Sequence, residues 1–98
     1  MIHGDFGAGN ILVDESTGRA VVVIDFSSIA LGDPAIDYAA ISTVHSRVIE
    51  LLTHRNPRVA QYTKRIAFYR GTFALQEALY GAVVGDDQAL AEGLAEFV

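Results

Sequence analysis

The sequence predicts an α+β fold, a small β-hairpin followed by three or four helices. Three observations predict it. Two apolar runs near the start, Ile11–Val13 and residues 19–24, are joined by the turn-forming segment Asp14, Glu15, Ser16, Thr17, Gly18. Asp33-Pro34 then opens a stretch in which Ile36, Ala40, Val44, Val48 and Leu51 recur at helical spacing. A second stripe (Val59, Tyr62, Ile66, Tyr69, Phe73, Gln76, Tyr80, Val83) continues the same period.

Each element has a local reason. Residues 19–24 are β-branched or apolar at nearly every position, so they predict a strand buried on both faces. Asp14 and Glu15 belong to the turn chemistry between the strands. Asp33 is a good N-cap and Pro34 suits the first helical position, so the first helix is expected from there to about Leu52. Residues 53–57 end it, because Asn56 before Pro57 is disfavoured in helix. The next helix is expected from about Arg58 to Val83, bent or split at Gly71. Gly85, Asp86 and Asp87 form a stop and a fresh N-cap. A last short helix is expected over residues 89–97, with Leu90, Leu94 and Phe97 on one face. The four tyrosines fall on these stripes and are expected in the core.

The 98-residue chain allows at most one domain, residues 1–98. A chain of this size buries about two-thirds or less of its unfolded surface. With Gly counted in and Tyr out, 55 of the 98 residues are apolar, a modest excess over the roughly 45–50% of typical globular chains, and this fits a face meant to be covered by something else, either a second copy or a partner lobe. The net charge of −5 is uneven: the first 37 residues carry six acids and one base. That balance argues against a nucleic-acid partner. The bases at 47, 55, 58, 64, 65 and 70 are expected on a solvated helical face. The absence of cysteine excludes disulfides and thiolate metal sites. No apolar run approaches membrane-spanning length and there is no signal peptide, so no membrane partner and a cytoplasmic setting are expected.

The chemistry concentrates at the start. Asp5, Asn10 five residues on, and Asp25 twenty after Asp5 are the polar groups of the stretch. A hairpin between Asn10 and Asp25 would bring them back together, placing two carboxylates and one amide oxygen around one point. Hard divalent cations prefer oxygen ligands of this kind. A cation with a spare carboxylate suits phosphoryl transfer, the carboxylate orienting a hydroxyl and accepting its proton. The glycines at 4, 7 and 9 fit neither a dinucleotide fingerprint nor a Walker loop, and are expected to let the backbone turn tightly around Asp5 and Asn10.

The spacing D-x-x-x-x-N followed by a strand-end Asp matches the protein-kinase catalytic set. In its form H-G-D-(four residues)-N, with I-D-F-S and then G-D-P-A-I-D-Y-A at 32–39, it resembles the aminoglycoside phosphotransferase family and its small-molecule kinase relatives. The matched motifs run from His3 to about Ala40. The resemblance implies a partial protein-kinase-like C-terminal lobe using ATP and Mg²⁺ to phosphorylate a hydroxyl of a small molecule, such as an aminoglycoside, a sugar or a choline-like amine. It gives Asp5 the catalytic role and Asn10 and Asp25 the metal. His3 becomes a packing and hydrogen-bonding element of the loop, and Asp33 and Asp37 become its supports. It assigns no nucleotide-binding residue. His45 and His54 have no carboxylate at ligand spacing and are expected in surface or core roles.

Two departures from the protein-kinase pattern stand out. Gly4 replaces the arginine that answers an activation-loop phosphate, and the span from Asp25 to Pro34 has no room for a long regulated loop. No glycine-rich covering loop and strand lysine precede Asp5, so the ATP-binding lobe is expected to be absent, and the chain alone to bind Mg²⁺ weakly and show little or no transfer. The alternative is a catalytically inactive remnant lobe acting as a self-associating or partner-binding module.

Overall fold

The computed structural model describes residues 1–95. The hairpin is formed by β1 (Ile11–Val13) and β2 (Ala20–Val23), antiparallel, with Ile11 opposite Val23 and Leu12 opposite Val22. Val13 pairs with Ala20, so a bulge interrupts the register. Among the described residues five α-helices follow, against the three or four expected: α1 (Pro34–Ser42), α2 (Val48–Arg55), α3 (Thr63–Gly71), α4 (Phe73–Val84) and α5 (Asp87–Leu94). Short 3₁₀ turns lie at Ala8–Asn10 and Pro57–Tyr62. The α+β architecture expected from the sequence, a hairpin leading into helices, is the one found. The chain divides into two compact units, Met1–Ala67 and Phe68–Val98.

The first unit is built around Ile2, Ala35, Ala39, Val59 and Ile66, with His3 and Ser42 buried among the polar residues. α1 starts as its residues dictate. Asp33 accepts the Ala35 N–H at 3.0 Å and Pro34 occupies the first turn, a cap of about 1 kcal/mol. The helix does not reach Leu52. The Ser42 hydroxyl donates to the Ala39 carbonyl (2.7 Å) and that of Thr43 to the Ala40 carbonyl (2.8 Å). Val44 N–H bonds three residues back, to Ile41. Hydroxyls that compete for carbonyls this way weaken a helix end, and the polar run through Arg47 separates α1 from α2. Apolar spacing alone carried no sign of this break.

The strand at 20–23 is also not buried on both faces. Val21 is 60% exposed and Val22 46%. Its apolar run sits in a two-stranded ribbon that leaves both faces open, a form marginal on its own in water. The 57–84 stretch is split as Gly71 suggested. Thr72 N–H and hydroxyl both turn back to the Tyr69 carbonyl, at 3.0 and 2.7 Å, ending α3 before α4 begins.

In the second unit, α4 and α5 form a helical hairpin. Gly85 caps α4 at φ +78°, and Asp86 caps α5 by accepting the Ala89 N–H at 3.0 Å. Gly93 lets the two helices touch, since a Cβ there would run into the Ala78 backbone. The Phe97 position expected on the last helix lies outside the described residues. Tyr80 departs from expectation: it sits on the outer side of α4 and is 60% exposed, whereas Tyr38, Tyr62 and Tyr69 are half-buried. Among the described residues, no helix is long and apolar enough to cross a membrane.

Candidate active site

The chain's first residues are pinned by the segment that follows Asp25. Ile2 and Ala30 exchange backbone hydrogen bonds at 2.7 and 3.2 Å. This fixes the entry into the Asp5 loop, and Gly4 then turns it with φ +88°. A Cβ at Gly4 would collide with the Ser28 carbonyl oxygen. This is the physical reason the position cannot carry the arginine of the protein-kinase pattern. Gly7 and Gly9 are different from what was expected of them. Neither has positive φ, and a Cβ at either meets nothing within 4 Å.

His3 is buried and uses both ring nitrogens. Its Nδ1 accepts the Asp5 N–H at 3.1 Å, and its Nε2 lies 2.9 Å from the Ile24 carbonyl oxygen. Only the neutral ring with its proton on Nε2 satisfies both contacts. His3 therefore ties the Asp5 loop to the strand end that carries Asp25. Phe6 and Phe26, the residues after the two aspartates, pack tilted against its ring at 5.7 and 5.0 Å. Asp37 supports the loop from α1. Its two oxygens accept the N–H groups of His3 (2.8 Å) and Gly4 (3.0 Å).

Asp5 and Asn10 are brought into direct contact. The Asn10 Nδ2 donates to the Asp5 carbonyl at 2.8 Å and to its carboxylate at 3.1 Å, closing the 3₁₀ turn. The amide's donors are thereby committed, and its Oδ1 is the atom left to face a cation. The hairpin doubles back as expected: Ile24 N–H bonds the Asn10 carbonyl at 2.8 Å, so Asp25 follows directly on the residue paired with Asn10. Asp25 itself adopts φ +58°, in the left-handed region, which Asp tolerates better than most residues. Its Oδ1 accepts the Ser27 hydroxyl (2.5 Å) and N–H (3.3 Å).

Ser27 was not singled out by sequence reasoning, and its only signal was a position two residues after Asp25. Its hydroxyl, then its N–H, hold the Asp25 carboxyl below the ordinary carboxylate value, against a smaller upward push from desolvation. A depressed carboxylate pKa contributes stability that is present above the unfolded value and lost as pH falls through the folded one. Ser27→Ala should therefore move the Asp25 carboxyl titration upward towards the ordinary value, measured by carboxyl-carbon NMR. An unmoved midpoint would show that the hydroxyl contributes nothing.

Asp33 caps α1 with one oxygen, and the other accepts the Nε–H of Arg65 at 2.7 Å. Arg65 is exposed, as expected of the basic face, but its ion pair with Asp33 is not signalled by the sequence pattern. The other bases of that run are exposed, as are His45 and His54.

The resemblance implies Mg²⁺, and the donors present fit it. The Asn10 Oδ1 and the Asp25 carboxylate are hard oxygen ligands. Among the described residues no three His, Cys, Asp or Glu side chains gather as a metal cage. Mg²⁺ needs none, because it keeps several waters and takes substrate phosphates beside one or two protein ligands.

A loop holding an exposed carboxylate beside a carboxamide, braced by a buried histidine and a helix-borne aspartate, has the form expected of the kinase-like phosphotransferase families. The model of the phosphotransferase enzyme family (APH) matches residues 1–77, and the chain belongs to that family. It is 38% identical over 104 residues to viomycin phosphotransferase from Streptomyces vinaceus, an alignment that takes in 99% of this chain. The chain spans about a third, 35%, of that relative's length.

Proposed function

We propose that the protein transfers the γ-phosphoryl group of ATP to a hydroxyl of a small molecule. The direct Asp5–Asn10 contact supports this best: it aims one carboxylate outward while reserving an amide oxygen for a cation. Asp5 would orient the acceptor hydroxyl and take up its proton as the oxygen attacks phosphorus. Asn10 and Asp25 would hold Mg²⁺, which when bound neutralises phosphate charge. His3 and Asp37 keep the Asp5 backbone in place so that no reorganisation is needed during transfer. Acceptors of the aminoglycoside, sugar or choline-like amine class suit the reading, and the relative's name adds viomycin to the panel. ATP as donor supports a cytoplasmic setting.

The test is label transfer from γ-labelled ATP with Mg²⁺ and that acceptor panel, comparing the wild type with Asp5→Ala. Label on an acceptor that disappears in the variant supports the reading. Transfer untouched by the substitution overturns it.

The apolar hairpin surface is proposed to be covered in the working protein by a second copy or a partner lobe. Leu12, Val13, Val21 and Val22 lie exposed on the two strands. Light scattering on a sizing column should show a species larger than the 10.5 kDa chain. A clean monomer at high concentration would remove self-association.

A further inference from the structure

The geometry points to Arg65 as a positioning residue for the Asp5 loop, acting through the first turn of α1. Asp33 Oδ1 accepts the Ala35 N–H at 3.0 Å, and Oδ2 accepts the Arg65 Nε–H at 2.7 Å. One turn later on the same helix, Asp37 takes the N–H groups of His3 and Gly4. The first turn of α1 is therefore gripped at both ends, at Asp33 by Arg65 and at Asp37 by the loop it supports. A helical turn is stiff on the scale of its 5.4 Å pitch. Tilting its N-terminus moves the Asp37 oxygens with it.

A second set of contacts runs parallel to the first. The Arg65 guanidinium lies 4.8 Å from the centre of the Tyr62 ring. Tyr62 stacks on Tyr38 at 5.8 Å and 23°, and Tyr38 is the residue after Asp37. Arg65 is thus oriented by an aromatic face that itself rests on α1. An ordinary exposed ion pair gives up little when it is broken. This one joins segments 32 residues apart and reaches, through one helical turn, the two amides that set the backbone before Asp5.

The inference rests on the proposed function only for its catalytic consequence. Its test does not require activity. In the ¹⁵N-labelled full chain, Arg65→Gln should speed hydrogen exchange of the His3 and Gly4 amides about two- to fivefold. It should also move their amide shifts, while the Ile24 amide across the hairpin keeps its rate. Asp33→Asn keeps a capping oxygen and removes the anion, so it should produce the same pattern. The double variant should then do no more than Asp33→Asn alone. His3 and Gly4 amides unmoved in Arg65→Gln, or additive effects in the double variant, would overturn the inference. Where transfer is measurable, the same variants should lower kcat with the acceptor KM unchanged, and a raised KM at constant kcat would count against positioning. The exchange result decides this inference whether or not the chain transfers phosphate, and an Asp5→Ala protein that transfers as fast as the wild type would overturn the functional reading alone.

Discussion

Replacing Asp5 with alanine should lower phosphoryl transfer by about two to four orders of magnitude, the range in which a positioned general base contributes. Asp5 is exposed, so the substitution removes no core contact. Its backbone N–H still reaches His3 and its carbonyl still receives the Asn10 amide, because neither bond uses the side chain. What disappears is the carboxylate that accepts the Asn10 amide at 3.1 Å and would take the acceptor's proton. Asp5→Asn should be nearly as inactive: it keeps the shape and an oxygen for Asn10 but has no basic site. The steady-state rate with a responsive acceptor checks this, and hydrogen exchange in the hairpin serves as the control for folding. An Asp5→Asn protein with undiminished kcat would mean that the carboxylate does no proton work.

Local chemistry was legible in the sequence. The turn at 14–18 made the hairpin readable, and Asp33-Pro34 made the start of α1 readable, because caps and turns are decided within a few residues. The five-residue spacing of Asp5 and Asn10 was readable for the same reason, as one short turn suffices to join them. What failed depended on distance or on context. Periodicity ran through Ser42 and Thr43 because the stripe does not register hydroxyls turning back on their own helix. An apolar run predicts burial only if something covers it, and β2 lies in an open ribbon. Arg65 looked like one more solvated base, since nothing in its neighbourhood announces a carboxylate 32 residues earlier. Gly4 was visible as a departure from the kinase pattern, yet its cause, the Ser28 carbonyl, belongs to the tertiary structure.

That cause has a measurable consequence. Gly4→Ala should destabilise the protein by about 2–5 kcal/mol. The left-handed conformation at φ +88° costs a non-glycine residue roughly 1–2 kcal/mol. The Cβ must also displace the Ser28 carbonyl, and overpacking of this kind costs about 1–3 kcal/mol. The two add because they arise from different atoms, the residue's own backbone and a neighbour's oxygen. Relief can come only by shifting the loop. A shift would loosen the Gly4 N–H from Asp37 and strain the Ile2–Ala30 bridge beside it. Against a total stability of about 5–15 kcal/mol for a folded domain, such a loss is large. Thermal or urea unfolding should show it as a Tm drop of at least about 10 °C. Gly9→Ala is the internal control. It lies in the same loop, without positive φ and with open space at its Cβ, and should change stability by no more than about 1 kcal/mol in either direction. Equal stability of the two variants would mean that the Ser28 carbonyl yields freely, and that the tight turn before Asp5 is not what keeps glycine at position 4.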